Sequence, residues 1–549
     1  MKPANVKTDP FVPDPLIPFN DPYTHAPVGA PFDVPAGSNQ PIWVDIYILK
    51  NTPACSFQGT FIVTSNGVSV AAIPVTIITY GINIPDSGSG PKTPFKISFG
   101  NLPSFHKGAT FNVNSPYTQL LVRRYEDFSH AHRVNTRFNP FTVLVGYGTD
   151  GCAPPTQANL QAWAQSVAGY FDGSYFSDGV PVNSFYTDFN PGGGWGLDSC
   201  SAAQIQDIAA VWAAFLKKQG WFHKAIAATA DEPSYSASDL SSLKSIAAHA
   251  QAMVQGDADW LAQIMVTTPA SSLSAPVLGS SVGVYCTYLT AFDTWWHQNV
   301  SPNPLYYGRK EWPSFRAGPP AHSMWFYECS GMGKPYPTFS TNTLLATEPM
   351  IMFWASYFEN ATGFLYWDMA YWNLTSSWGP NTLFPKLGDG VLLYPGAHDG
   401  TAGANAGSPA GVNIAGPIGS IRLKMIRQGL QDWSLFSFAS QSGLDSFTRK
   451  AVSEIYGNLG ACNWDGCLPP PINKTYYWDY SNYTHIEDVR RRVFQALKDL
   501  SPSPLAQAAS SSTTSTLVTS STSKTLSTST TTAFLAVTTT AASWSSWLY

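Results

Sequence analysis

Between residues 94 and about 440 the chain alternates two kinds of segment. Short apolar runs rich in Val, Ile and aromatic residues fall at 96–102, 141–147, 184–190, 224–231, 262–268, 281–289, 322–329 and 363–368. Runs of this length, bounded by Gly, Pro, Asn and Ser, predict buried strands. Between most of them, apolar positions recur every three or four residues, at 118–132, 157–171, 202–219, 238–254, 343–359 and 418–438. The segment 202–219 places Ile205, Ile208, Ala209, Trp212, Phe215 and Leu216 on one helical face, and Ser201 with Gln204 ahead of it forms a capping box. The helical signal is poor between the fifth and sixth runs and again after the sixth. Eight strand–helix repeats predict an α/β fold, a closed (β/α)8 TIM-like barrel, with an open doubly wound sheet as the alternative.

The flanks differ from this centre. Residues 1–93 mix Pro-rich connections with β-rich runs at Ile42–Leu49, Thr60–Thr64 and Val70–Thr79. Three or four strands cannot close a sandwich alone, so this region reads as a partial β-sandwich domain whose beginning lies upstream of Met1. The barrel domain is expected over 94–445 and a helical extension over 446–500, where Thr484 and Glu487 cap a segment with Ile486, Val489, Val493 and Leu497 on one face. Residues 501–549 are almost wholly Ser, Thr and Ala, a composition that buries too little apolar surface to fold and fits a disordered, O-glycosylated stalk.

Composition narrows the function classes. Charged residues are 12% of the chain, about half the usual share of roughly 25%. Aromatics reach 14%, including 19 Trp and 26 Tyr. Aromatic faces serve a large core equally well, or stack against the C–H faces of sugars. A net charge of −5, with Arg490-Arg491-Arg492 as the longest basic run, argues against a nucleic-acid partner. Seven cysteines without a CxxC pair or a Cys/His cluster speak against a zinc site. Pairings 152–200, 286–329 and 462–467 would leave Cys55 over. Five Asn-x-Ser/Thr sequons, at Asn299, Asn360, Asn373, Asn473 and Asn482, join the cysteines and the Ser/Thr tail in favouring a secreted or cell-surface protein. Met1–Pro10 has no apolar signal core, and no window offers the 18 or so apolar residues of a membrane span.

In a β/α barrel the chemistry sits where strands end. The fourth run finishes Ala230-Asp231-Glu232-Pro233. Two carboxylates after so apolar a strand either cap the next helix or work in the barrel mouth. Ser236 and Asp239 supply separate caps for that helix, which favours catalysis by Asp231 and Glu232. The later strand ends contribute Tyr285 and Tyr288, then Trp325, Tyr327 and Glu328, then Tyr366, Trp367, Asp368, Tyr371 and Trp372. Strand alternation lets only about half of these face the mouth. Tyr285, Trp325, Tyr327, Trp367, Asp368 and Trp372 are the candidates for substrate binding.

Several segments resemble glycoside hydrolase family 123. They are Gly363-Phe364-Leu365-Tyr366-Trp367 with Tyr371-Trp372, the turn Gly388-Asp389-Gly390 with the following Val391–Gly396, and the helix Arg422–Asp432. Upstream, Gln40-Pro41-Ile42-Trp43-Val44-Asp45 and Phe57-Gln58-Gly59-Thr60 resemble the end of that family's β-sandwich. The resemblance implies an N-acetyl-β-galactosaminidase-like enzyme, a sandwich followed by a barrel, that needs neither a metal nor an organic cofactor. It implies that Glu232 is the general acid/base and that Asp231 holds the substrate's 2-acetamido group, whose carbonyl oxygen attacks the anomeric carbon. Adjacent carboxylates suit that chemistry, because retaining enzymes with a protein nucleophile instead hold two carboxyls about 5–5.5 Å apart across the bond. A β-glycosidase for another sugar, and a non-catalytic carbohydrate-binding or cell-wall protein on the same barrel, are the rival readings.

Three further signals are weaker. Gly146–Gly151 matches a dinucleotide fingerprint, but Pro154 and Pro155 interrupt the helix it requires. Gly279–Gly283 matches a nucleophile elbow, yet it precedes a strand. His130 and His132 point different ways on a helix and make a poor metal pair.

Overall fold

The computed structural model describes residues 14–86, 90–97, 106, 112, 114–136, 152–187, 197, 199–233, 240–289, 307, 311–329, 336–340, 346–372, 388–396, 412–456 and 482–500. The N-terminal part contains one antiparallel ribbon, β1 (Cys55–Ser65) and β2 (Val68–Thr79). Asn66-Gly67 makes its two-residue turn, and both residues hold positive φ, which is the Asn-Gly preference of a type I′ hairpin. Most of the ribbon's side chains are exposed. The expected run Ile42–Leu49 forms no strand and carries a single bridge residue at Val44.

The centre is an α/β barrel of eight parallel strands. They are β3 (Pro94–Phe95), β4 (Asn135–Thr136), β5 (Phe185–Tyr186), β6 (Ala225–Asp231), β7 (Ile264–Thr267), β8 (Val284–Tyr288), β9 (Ser323–Glu328) and β10 (Gly363–Tyr366). Their order in the sheet is β4-β3-β10-β9-β8-β7-β6-β5, a cyclic permutation of chain order. The last strand pairs with the first, which an open doubly wound sheet does not do. At the seam between β4 and β5, Asn135 donates to Ser184 Oγ at 3.1 Å and to Asn183 Oδ1. The second strand described lies at Asn135–Thr136, and the expected run 141–147 falls outside the described residues.

A helix follows each barrel strand: α1 (Pro116–Ala131), α2 (Gln157–Asp172), α3 (Ala202–Gln219), α4 (Ser241–Gly256), α5 (Ser274–Leu278), α6 (Trp312–Ala317), α7 (Glu348–Phe358) and α8 (Ile421–Ala439). Where the helical period is poor, α5 and α6 have only five and six residues. The α3 capping box forms as expected, and Gly220 ends that helix with φ +75°. α4 starts after Leu240, which makes no side-chain cap, and the proposed caps Ser236 and Asp239 lie outside the described residues. Beyond the barrel are β11 (Leu393–Pro395) paired with β12 (Pro417–Gly419), then α9 (Asp445–Ser453) and α10 (Tyr483–Leu500). The amide of His485 bonds to Asn482, two residues before the expected capping Thr484.

Alternate residues divide the apolar mass in two. Outward-facing residues such as Ala225, Ala227, Val266, Tyr285, Phe326 and Phe364 join the helices in the main core. Inward-facing Tyr186, Ile226, Ala228, Met265, Val284, Cys286, Trp325, Tyr327 and Leu365 fill the lumen. Gly363 belongs to this packing, because a Cβ there would sit 2.2 Å from the Trp325 indole.

α8 ties distant segments to the barrel. Arg422 is buried, pairs with Asp14 at 2.7 Å and donates to the Gly388 and Phe339 carbonyls at 2.5 Å. Lys424 and Arg427 both grip Asp45, at 2.7 and 2.6 Å. Asp432 takes Trp354 Nε1 at 2.8 Å and Arg490 Nε at 2.7 Å, which docks α10. A disulfide joins Cys152 to Cys200, ahead of α2 and α3. Cys286 and Cys329 are not joined, because the register sets Cys286 opposite Trp325, four residues short of Cys329. The pair 462–467 lies outside the described residues.

Candidate functional site

The site begins with an irregularity. Ala228 pairs with Met265, but Asp231 pairs with Thr267, so β6 carries one residue more than β7 over this stretch. Such a bulge re-aims the side chains beyond it. In an unbroken ladder Ala230 would face Thr267; the extra residue puts Asp231 there instead. Asp231 Oδ1 accepts from Thr267 Oγ1 at 2.9 Å. Glu232 follows with φ +43°, in the left-handed region that costs a residue with a Cβ roughly 1–2 kcal/mol. Strain of this kind persists only where the surroundings enforce it, and it concentrates at working sites.

The turn sends the Glu232 side chain across the barrel mouth. Tyr327, at the end of β9 and three strands away, donates to Glu232 Oε1 at 2.7 Å. The Tyr327 phenol is buried, and that burial together with the charge of Glu232 raises its pKa well above the ordinary value. It therefore stays protonated and remains a donor. Tyr288, inward-facing on β8, meets Tyr327 edge to face with ring centroids 5.7 Å apart. The half-buried Cys329 packs against the same lumen cluster. Asp231 and Glu232 are both exposed at the C-terminal end of the strands, where barrel enzymes keep their chemistry.

The other candidates divide by strand parity. Tyr285 does not reach the mouth: Val284, Cys286 and Tyr288 take the inward positions of β8, so Tyr285 packs outward on Phe315 and His322 at 5.3 and 5.6 Å. Trp325 faces the lumen two residues below Tyr327 and is buried there as packing. Trp372 is also core, against Tyr125 at 6.1 Å with its Nε1 on the Leu393 carbonyl. Trp367 is half-buried just beyond β10, with its Nε1 on Asp389 Oδ1 at 2.9 Å and Tyr371 5.0 Å from its ring. Gly390, φ +76°, leaves room for that indole, since a Cβ would sit 2.3 Å from it. Asp368 is buried and takes the Ala370 amide at 2.9 Å. Trp367 and the exposed Tyr371 thus keep aromatic surface near the strand end, while Asp368 shapes the turn.

Sequence reasoning misses Thr267. Its signal is weak, since two threonines at the end of the fifth run read as ordinary strand residues. The weaker motifs do not join the site. Gly279–Gly283 leads into β8, His130 lies 3.1 Å from Asp178, and His132 bonds to the Phe128 carbonyl. The fingerprint at 146–151 is outside the described residues. Among the described residues no group of three or more His, Cys, Asp or Glu side chains is placed to hold a metal ion, and no helix is long and apolar enough to cross a membrane.

No family model matches the chain, and no curated protein does. Among solved structures the chain is similar to a family 123 glycoside hydrolase from Clostridium perfringens, studied for glycolipid glycan hydrolysis. That similarity has 13% identity and a TM-score of 0.48, covering 82% of this chain and 76% of the other.

Proposed function

We propose that this chain is a glycoside hydrolase that removes terminal β-linked 2-acetamido sugars, N-acetylgalactosamine-like, by substrate-assisted retaining catalysis. The observation that carries the reading is the Asp231-Glu232 pair on the bulged end of β6, with Glu232 turned across the barrel mouth onto Tyr327. The segments that resemble family 123 support the barrel architecture on which this reading is placed.

In the first step the acetamido carbonyl oxygen attacks the anomeric carbon while the bond to the leaving oxygen breaks. Glu232 gives its proton to that oxygen. Asp231 accepts the acetamido N–H, orienting the group and offsetting the positive charge that spreads onto it. In the second step a water attacks the same carbon, Glu232 takes its proton, and the acetamido group is released. Two inversions leave the configuration retained. Tyr327 engages one Glu232 oxygen, so the other is the one presented to the substrate.

The test is release of nitrophenol from para-nitrophenyl 2-acetamido-2-deoxy-β-galactoside by the wild-type chain, Glu232→Gln and Asp231→Asn. The wild type should turn over and both variants should lose most of that activity. Equal rates on the unsubstituted galactoside would rule out substrate assistance. Inertness on the galacto, gluco and unsubstituted substrates, with sugar binding intact, would favour the binding-protein reading.

A further inference from the structure

We infer that Thr267 is a positioning residue for both carboxylates, a role that rests on the reading above only for its effect on turnover. Thr267 closes β7 and is buried beside the bulge. Its hydroxyl meets three groups at once: the Ala230 carbonyl at 2.8 Å, Asp231 Oδ1 at 2.9 Å and the Glu232 amide at 3.2 Å. These are consecutive residues, and they span the stretch where β6 leaves the ladder. The extra residue removes the Ala230 C=O and the Glu232 N–H from regular strand pairing, and backbone groups left without partners near a barrel interior are costly. The Thr267 hydroxyl accepts from the Glu232 amide and lies within donor reach of the Ala230 carbonyl.

A hydroxyl has one proton and two lone pairs. Thr267 Oγ1 accepts from the Glu232 amide and donates to one acceptor at a time, either the Ala230 carbonyl or Asp231 Oδ1. An ionised carboxylate is the stronger acceptor. With Asp231 charged, the proton goes to Oδ1 and fixes the carboxylate against the strand end. The same oxygen holds the amide of Glu232, whose left-handed φ directs the side chain to Tyr327. Thr267 therefore couples the direction of Asp231 to that of Glu232 without touching substrate.

Thr267→Val keeps the shape and removes every one of these bonds, and Thr267→Ser keeps the hydroxyl. Both are made in the full chain and assayed on the para-nitrophenyl acetamido galactoside, with melting temperatures and crystal structures of each. Misplacement of reacting groups by about 1 Å costs on the order of 100-fold in rate. The valine variant should lose about that much in kcat with KM changed less than about threefold. The serine variant should recover to within about threefold of wild type, and only the valine crystal structure should lose the Glu232–Tyr327 bond. Should valine prevent folding, cysteine makes the same test, because a thiol is a poor partner at these distances.

A folded valine variant with kcat within about threefold of wild type, or one whose Glu232 still rests on Tyr327, overturns the inference. A wild type inert on the galacto, gluco and unsubstituted substrates, whose valine variant nonetheless releases Glu232 from Tyr327, supports positioning and refutes the glycosidase reading, so the two failures are distinct.

Discussion

Replacing Tyr327 by Phe removes one bond, the 2.7 Å donation to Glu232 Oε1, and leaves the ring that packs on Tyr288. Hydrogen bonds to charged groups contribute about 1.5–3 kcal/mol. Glu232 is exposed, so water compensates part of the loss and the low end applies, about 1.5 kcal/mol or roughly tenfold in rate. The loss should depend on the leaving group. A nitrophenoxide departs without needing a proton, whereas an alkoxide from an alkyl glycoside must be protonated as the bond breaks. The quantity to measure is kcat/KM, which reports steps through glycosidic cleavage and is insensitive to a slow second step. Tyr327→Phe should lower it about tenfold on an alkyl 2-acetamido glycoside and less than about threefold on the nitrophenyl one. Equal losses on both substrates would mean that Tyr327 acts on something other than proton delivery by Glu232. No loss on either would remove Tyr327 from the mechanism.

Three other outcomes follow from the structure. Glu126 is fully buried and accepts 2.6 Å bonds from Tyr170 and Tyr175, and burial pushes its pKa from 4.5 up to about 7. Between those values the folded chain holds a proton that the unfolded chain has lost, so stability falls as pH rises through that window, by ~3 kcal/mol at most. Glu126→Gln should therefore melt progressively higher than wild type as the pH of the scan moves from 5 to 8, and parallel curves would contradict this. Gly363→Ala drives a methyl against the Trp325 indole and should destabilise the barrel by about 3 kcal/mol or more, read by denaturant titration. Removing the Cys152–Cys200 bridge, which closes a separation of 48 residues, should cost about 4 kcal/mol in the same measurement.

Periodicity carries the fold because helices and strands of this barrel differ in length and apolar spacing. The bounds of α3 match the expected 202–219, since one apolar stripe and a capping box define both of its ends. Parity is harder to read. On β8 both Tyr285 and Tyr288 are aromatic, and only pairing with β9 decides that Val284, Cys286 and Tyr288 face inward. The bulge in β6 is invisible for a similar reason. Ala227-Ala228-Thr229-Ala230 gives no hint of where the extra residue sits, yet that residue brings Asp231 opposite Thr267. Placing cysteines near strand ends misleads in the same way, because Cys286 sits mid-way along β8 and Cys329 just beyond β9, at different heights.

The residues that carry the family resemblance turn out to be mostly structural. Gly363 makes room for Trp325, Asp389 holds Tyr366 and Trp367 at 3.0 and 2.9 Å, and Arg422 joins Asp14 to the Gly388 carbonyl. Asp45, from the upstream segment, is the counter-charge for Lys424 and Arg427 on α8. Replacing any one of them leaves a buried charge, an unfilled donor or a clash, so each is demanded by packing whatever reaction the barrel performs. They therefore testify to architecture. The chemical reading depends instead on Asp231, Glu232, Thr267 and Tyr327, of which two are hydrogen-bond partners of the carboxylates themselves. Glu232 differs from the other non-glycine residues at positive φ, such as Arg133 and Asn360, in that its carboxylate meets Tyr327 across the mouth.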